Sequence, residues 1–166
     1  MRESIICVGR TGKEPYRFPE TGVQIFSYEE LCYYLSGHML LYLYTLPEEE
    51  LLLYIRDELG LEKLYRQLSK LTDPGRDQMK YFAALFREGN YFSEEEIREI
   101  LDEYRDLKNT PYPVQCKWTG DMLLEAGRAS MAIHYYKEAL KPETMGKMDT
   151  GAAYHNMAVA KSRLFR

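Results

Sequence analysis

The spacing of apolar and polar positions changes character once along the chain. In the first 26 residues, "SIICVG" and "GVQIF" are short β-branched runs separated by a segment rich in Gly, Pro and Thr, the composition of a small hairpin. From Ser27 onward the spacing turns helical. It is cleanest where Ile97, Ile100, Leu101, Tyr104 and Leu107 recur three and four residues apart, which lays them along one helix face. "SYEE" at 27–30 and "SEEE" at 93–96 each place a Ser three residues before a Glu. That is the spacing at which a hydroxyl and a carboxylate satisfy a helix's first amides reciprocally. Pro74 behind Asp73 and Pro111 behind Thr110 have the arrangement of proline at a first helical position.

The pattern predicts helices over 28–44, 48–58, 61–71, 75–88, 94–107, 112–126, 128–140 and 151–165. They are broken at Pro47, Gly60, "TDPG", "GNY", "NTPYP", Gly127 and "KPETMGKMDTG". Connections this short force successive helices into antiparallel hairpins. The expected organisation is a short hairpin or extended segment over 1–26, a helical region over 27–110, and a second helical part over 111–166.

One stretch repeats a pattern. In "CKWTGDMLLEAGRASMAIHYYKEALKP" a small residue, Gly120, stands where one helix must approach its neighbour closely, and Gly127 falls at the turn. Ala132, Tyr136 and Ala139 then follow at spacings of four and three, small residues flanking an aromatic on one face. This segment resembles a tetratricopeptide repeat, a helix-turn-helix unit of helical solenoids. The terminal "YHNMAVAKSRLF" resembles helix A of a following unit, with Tyr154 as its leading aromatic and Ala158 as its small contact. Gly120 and Ala158 lie 38 residues apart, against a standard period of about 34; an enlarged loop at "KPETMGKMDTG" accounts for the surplus. Cys116 stands where the family prefers an aromatic, with Trp118 displaced by two, and Pro142 comes earlier than the usual closing proline. The resemblance covers the last fifty or so residues. The segment running from Tyr81 to Tyr104 has a similar helix–Gly–helix layout without the small residues and reads only as a helical hairpin.

The resemblance implies an all-α chain of antiparallel hairpins stacked as a right-handed solenoid, with the N-terminal β-hairpin added. It also implies a non-catalytic scaffold that binds a protein or peptide across the helix A surface. Carried over by register, that surface comprises Lys117, Trp118, Asp121 and Glu125 in the first unit and His155, Asn156, Val159 and Arg163 in the second. Asn156 matches a family position that often bonds a peptide's backbone or carboxylate. Repeat units do not bury their faces alone. Tyr154, Met157, Ala158, Val159 and Leu164 are therefore expected to lie partly wet unless a longer array continues past them, the favoured expectation, or another copy covers them. The alternative function is accordingly self-association through Tyr154, Met157, Ala158 and Leu164.

Composition narrows this further. Hydrophobic residues at 45% and charged residues at 29% are those of a globular chain. A net charge of −4 argues against a nucleic-acid or anionic-membrane binder, whose affinity comes from concentrated Lys and Arg. "LCYYLSGHMLLYLYTL", the greasiest stretch, is broken by Ser36, Gly37 and His38 and reads as core helix rather than a membrane span. Cys7, Cys32 and Cys116 are odd in number and far apart, which fits a reducing compartment; the chain is expected to be soluble and cytoplasmic.

Candidate chemistry is sparse. "GRTGKEP" at 9–15 departs from phosphate-loop spacing, with two residues between its glycines and Glu14 after the Lys, and reads as a hairpin turn. The triplets 48–50 and 94–96 open predicted helices, where the dipole favours negative charge. His38, His134 and His155 fall on three different helices, and no His or Cys pair has metal-ligand spacing. No catalytic, metal or cofactor site is expected. Tyr is in surplus, 15 residues against a single Trp; interhelical packing or a tyrosine-lined groove would use it.

Overall fold

The computed structural model of the chain describes residues 9–72, 77–141 and 146–165. It is mostly helical, with a small antiparallel two-stranded sheet near the N-terminus. Two compact units are distinguished: Met1–Arg17 with Val23–Asp106, and Phe18–Gly22 with Leu107–Arg166. Among the described residues no helix is long and apolar enough to cross a membrane.

In the first unit, β1 (Thr11–Arg17) pairs antiparallel with β2 (Gln24–Ser27), Tyr16 opposite Ile25 and Arg17 opposite Gln24, with an irregularity between Thr11 and Tyr16. The first strand thus occupies the segment that composition assigns to a turn; "SIICVG", Gly9 apart, lies outside the described residues. The irregular stretch explains how a strand tolerates "TGKEP". Pro15 has no amide to donate, and the amides of Lys13 and Glu14 donate to the Glu58 carboxylate at 2.8 and 3.4 Å instead of to a ladder partner.

Helices follow: α1 (Tyr28–Gly37), a 3₁₀ turn (Met39–Tyr42), α2 (Glu49–Asp57), α3 (Glu62–Ser69), α4 (Gln78–Arg87) and α5 (Glu94–Asn109). Both serines cap their helices, the box closing reciprocally at Ser93, while at Ser27 the Glu30 carboxylate accepts from the Phe26 amide. The Ser27 hydroxyl accepts from the Glu30 amide at 3.1 Å. The Ser93 hydroxyl accepts from the Glu96 amide at 3.2 Å, and the Glu96 carboxylate accepts from the Ser93 amide at 2.7 Å. The helix expected over 28–44 ends early, at Gly37. His38 leaves helical geometry, with its Nδ1 2.7 Å from the Tyr34 carbonyl oxygen and its ring stacked on Tyr34, so the chain restarts as the 3₁₀ turn. Asp73 and Pro74 lie outside the described residues; the observed cap of α4 is Asp77, accepting from the Met79 amide at 3.0 Å.

Tyrosine does much of the packing: eight of the 15 are buried, and several hydroxyls satisfy backbone groups that burial would otherwise strand. Tyr28 donates to the Leu85 carbonyl at 2.6 Å and accepts from the Gly89 amide at 3.1 Å. A Cβ at Gly89 would overlap the Tyr28 ring, so only glycine lets this latch close. Tyr54 donates to the Ile25 carbonyl and Tyr104 reaches the carbonyls of Tyr42 and Leu43.

The second unit contains α6 (Tyr112–Glu125), α7 (Ala129–Leu140) and α8 (Lys147–Leu164), with α8 packed on both α7 and α6. Pro111 precedes α6 rather than opening it, and Pro113 sits in the first turn. Buried Gln115 bonds the start of α6 to the chain before it: its amide donates to the carbonyls of Leu107 and Thr110 at 2.8 and 2.9 Å. Gly127, at φ +75°, closes α6 with the paired bonds of a Schellman motif, Arg128 N–H to Leu123 O and Gly127 N–H to Leu124 O. Ala132, Tyr136 and Ala139 are all buried on α7. Gly120 is where α6 meets them: a Cβ there would stand 2.7 Å from the Tyr136 ring.

The last helix departs from expectation. It begins at Lys147, four residues before the predicted start, and its buried small residues are Ala153 and Ala160, not Ala158, which is exposed. The seven-residue interval is two helical turns, whereas Ala158 stands five residues past Ala153 and so on the far side. Polar anchors fix this register: Asn156 and Arg163 share the inward face with the two alanines and bond to α6. Pro142 lies outside the described residues.

Candidate functional site

The polar residues of α6, α7 and α8 converge on Asp121. Its Oδ2 pairs with Lys117 Nζ at 2.7 Å, one turn earlier on α6. Its Oδ1 accepts from the Tyr136 hydroxyl on α7 and from Asn156 Nδ2 on α8, each at 2.8 Å. One carboxylate therefore ties three helices. Partial burial and the adjacent carboxylate both push the Tyr136 hydroxyl's pKa up, keeping it protonated and donating. A second tie lies one turn on, where Arg163 Nη1 donates at 2.9 Å to the Leu124 carbonyl, which also accepts from the Gly127 amide at the end of α6.

Lys117, Asp121 and Asn156 are thus joined in one network, and Arg163 is bonded separately to the end of α6. The others remain more accessible. Trp118 is 40% exposed, Glu125 and His155 are exposed, and Val159 is half-buried. Glu125 has no hydrogen bond or ion pair among the described residues. Of the self-association residues, Tyr154 is 56% exposed, Leu164 and Ala158 are also exposed, and Met157 is half-buried. Sequence reasoning passed over the Tyr136 hydroxyl, Met122 beside Trp118, and Phe165, which is 89% exposed. The Asp121–Asn156 separation of 35 residues, close to the repeat period of about 34, is the signal that would have paired those two.

Elsewhere the chemistry is subdued. Burial pushes the Cys32 thiol up to about 12 and raises Cys116 as well, which leaves both as poor nucleophiles. His38 caps α1, while His134 and His155 sit on α7 and α8. No cluster of three or more potential metal ligands occurs among the described residues. Residues 11–15 of "GRTGKEP" are strand, not a phosphate-binding turn. No family model matches the chain, and no curated protein or solved structure matches it either.

Proposed function

We propose that the chain is a non-catalytic helical-repeat adaptor, tetratricopeptide-like in its C-terminal part, that binds a protein or peptide partner along the exposed face of α6 beside α8. The observation that carries this reading is the half-exposed Trp118 next to a polar network that ties α6, α7 and α8 together. A large aromatic on a pre-organised surface is the usual anchor of a recognition patch. Partners captured from a cell extract by the intact chain, identified by mass spectrometry, should be lost with Trp118→Ala and retained with the control Tyr154→Ala. Equal capture by both variants, with unchanged melting, refutes the reading.

A second reading is self-association. Tyr154 in the middle of α8 and Leu164 and Phe165 at its end expose apolar surface, more than scattered single residues require. Mass measured by light scattering across a concentration series separates the two.

A further inference from the structure

Among the groups on the α6 face, the acceptors left accessible are of one kind. Trp118, Asp121, Met122 and Glu125 recur three and four residues apart, which aligns them in a single stripe. The positive charge on that stripe is already spent: Lys117 is paired with Asp121, its side chain only 16% exposed. The amide donor of Asn156 is also committed to Asp121. The accessible remainder is the Trp118 indole, the Met122 thioether and the Glu125 carboxylate, which has no hydrogen bond or ion pair among the described residues.

We propose that this stripe recognises a long cationic side chain, Arg or Lys, presented by a peptide partner. The stem lies on Trp118 and Met122, and the charged head reaches Glu125. The inference rests on the adaptor reading above and specifies its ligand. The chemistry is complementary in each part. An indole face attracts a cation and accepts its aliphatic stem, and an exposed carboxylate at the far end sets direction and charge. A peptide's free carboxylate is the wrong ligand, because Asp121 already fills the place where Lys117 and Asn156 would hold it.

The test is selection of a random dodecapeptide display library on the intact chain, followed by titration of the consensus peptide. The single Trp reports directly, so bound peptide should shift Trp118 emission. Enriched peptides should share an Arg or Lys. Replacing that residue by citrulline or norleucine, or Glu125 by Lys, should each weaken binding by about tenfold, the scale of one desolvated cation–π or ionic contact. Affinity should also fall with added salt. Enriched peptides that shift Trp118 emission but are acidic, or indifferent to Glu125→Lys, overturn the inference and leave the adaptor reading standing. A library yielding no peptide that shifts Trp118 emission overturns both.

Discussion

Tyr81 shows how a single hydroxyl decides local stability. The residue is buried and its hydroxyl has no hydrogen-bond partner among the described residues, whereas the hydroxyls of Tyr28, Tyr54 and Tyr104 each find a carbonyl. A stranded buried hydroxyl costs roughly 1–3 kcal/mol, and removing it without changing shape recovers part of that. Tyr81→Phe should therefore raise the denaturation midpoint, while Tyr28→Phe should lower it by stranding the Gly89 amide and the Leu85 carbonyl. Equilibrium denaturation of the two variants checks the opposite signs. The cysteines give a second residue-scale outcome. With Cys32 pushed up to about 12 and Cys116 also raised, both buried, neither should be alkylated by iodoacetamide at neutral pH in the native chain. Both should react fully once it is unfolded, as mass spectrometry of the peptides would read.

At the scale of elements, the sequence was most legible where the controlling interaction is local. The two Ser-x-x-Glu boxes fix the starts of α1 and α5, and Gly127 fixes the end of α6, because each acts within one turn of helix. Legibility failed where a distant group decides. The first strand needs Glu58, some 45 residues away, to satisfy its amides, and no pattern within "TGKEPYR" shows that. The face of α8 is likewise set by bonds to Asp121 and the Leu124 carbonyl, 35 and 39 residues away. Its apolar residues are spread too evenly round the helix to choose a side, so the repeat resemblance points to Ala158 where the structure buries Ala153 and Ala160. The candidate site was readable as a set of positions on α6 and α8; that Asp121 consumes Lys117 and Asn156 was not.

The α5 box carries a pH dependence with a definite sign. The Ser93 amide and hydroxyl hold the Glu96 carboxyl below its ordinary value of 4.5. Its contribution is thus present above that value, where the unfolded chain is also ionised, and is lost as pH falls through the lower folded one. Glu96→Gln should abolish the difference between stability measured at neutral pH and in mild acid that this box contributes. Gly120→Ala tests the α6–α7 contact: the added methyl must displace the Tyr136 ring, at a cost of about 1–3 kcal/mol for overpacking. Tyr136→Leu in the same chain should recover part of that loss, since the ring is what the methyl strikes.

For the molecule as a whole, the question is whether its exposed apolar residues serve one partner or a second copy; Trp118 stands on α6 and Tyr154 on α8, with Phe165 just after it, so each can be substituted by itself. Met157 and Val159 are half-buried, so charging them would perturb packing as well as any contact. Tyr154 and Phe165 are exposed and can carry Lys with little change in stability, within about 0.5 kcal/mol each. If copies associate through α8, the mass of the native chain should rise with concentration and the Tyr154→Lys, Phe165→Lys variant should stay monomeric with unchanged peptide binding. Trp118→Ala should do the reverse, losing the peptide and keeping the native mass. A native chain that is monomeric throughout eliminates association of copies in solution and leaves the α6 stripe as the surface to which function is assigned. A variant in which both properties fall together would instead mean that the two faces form one interface, in which a second copy completes the surface that holds the peptide.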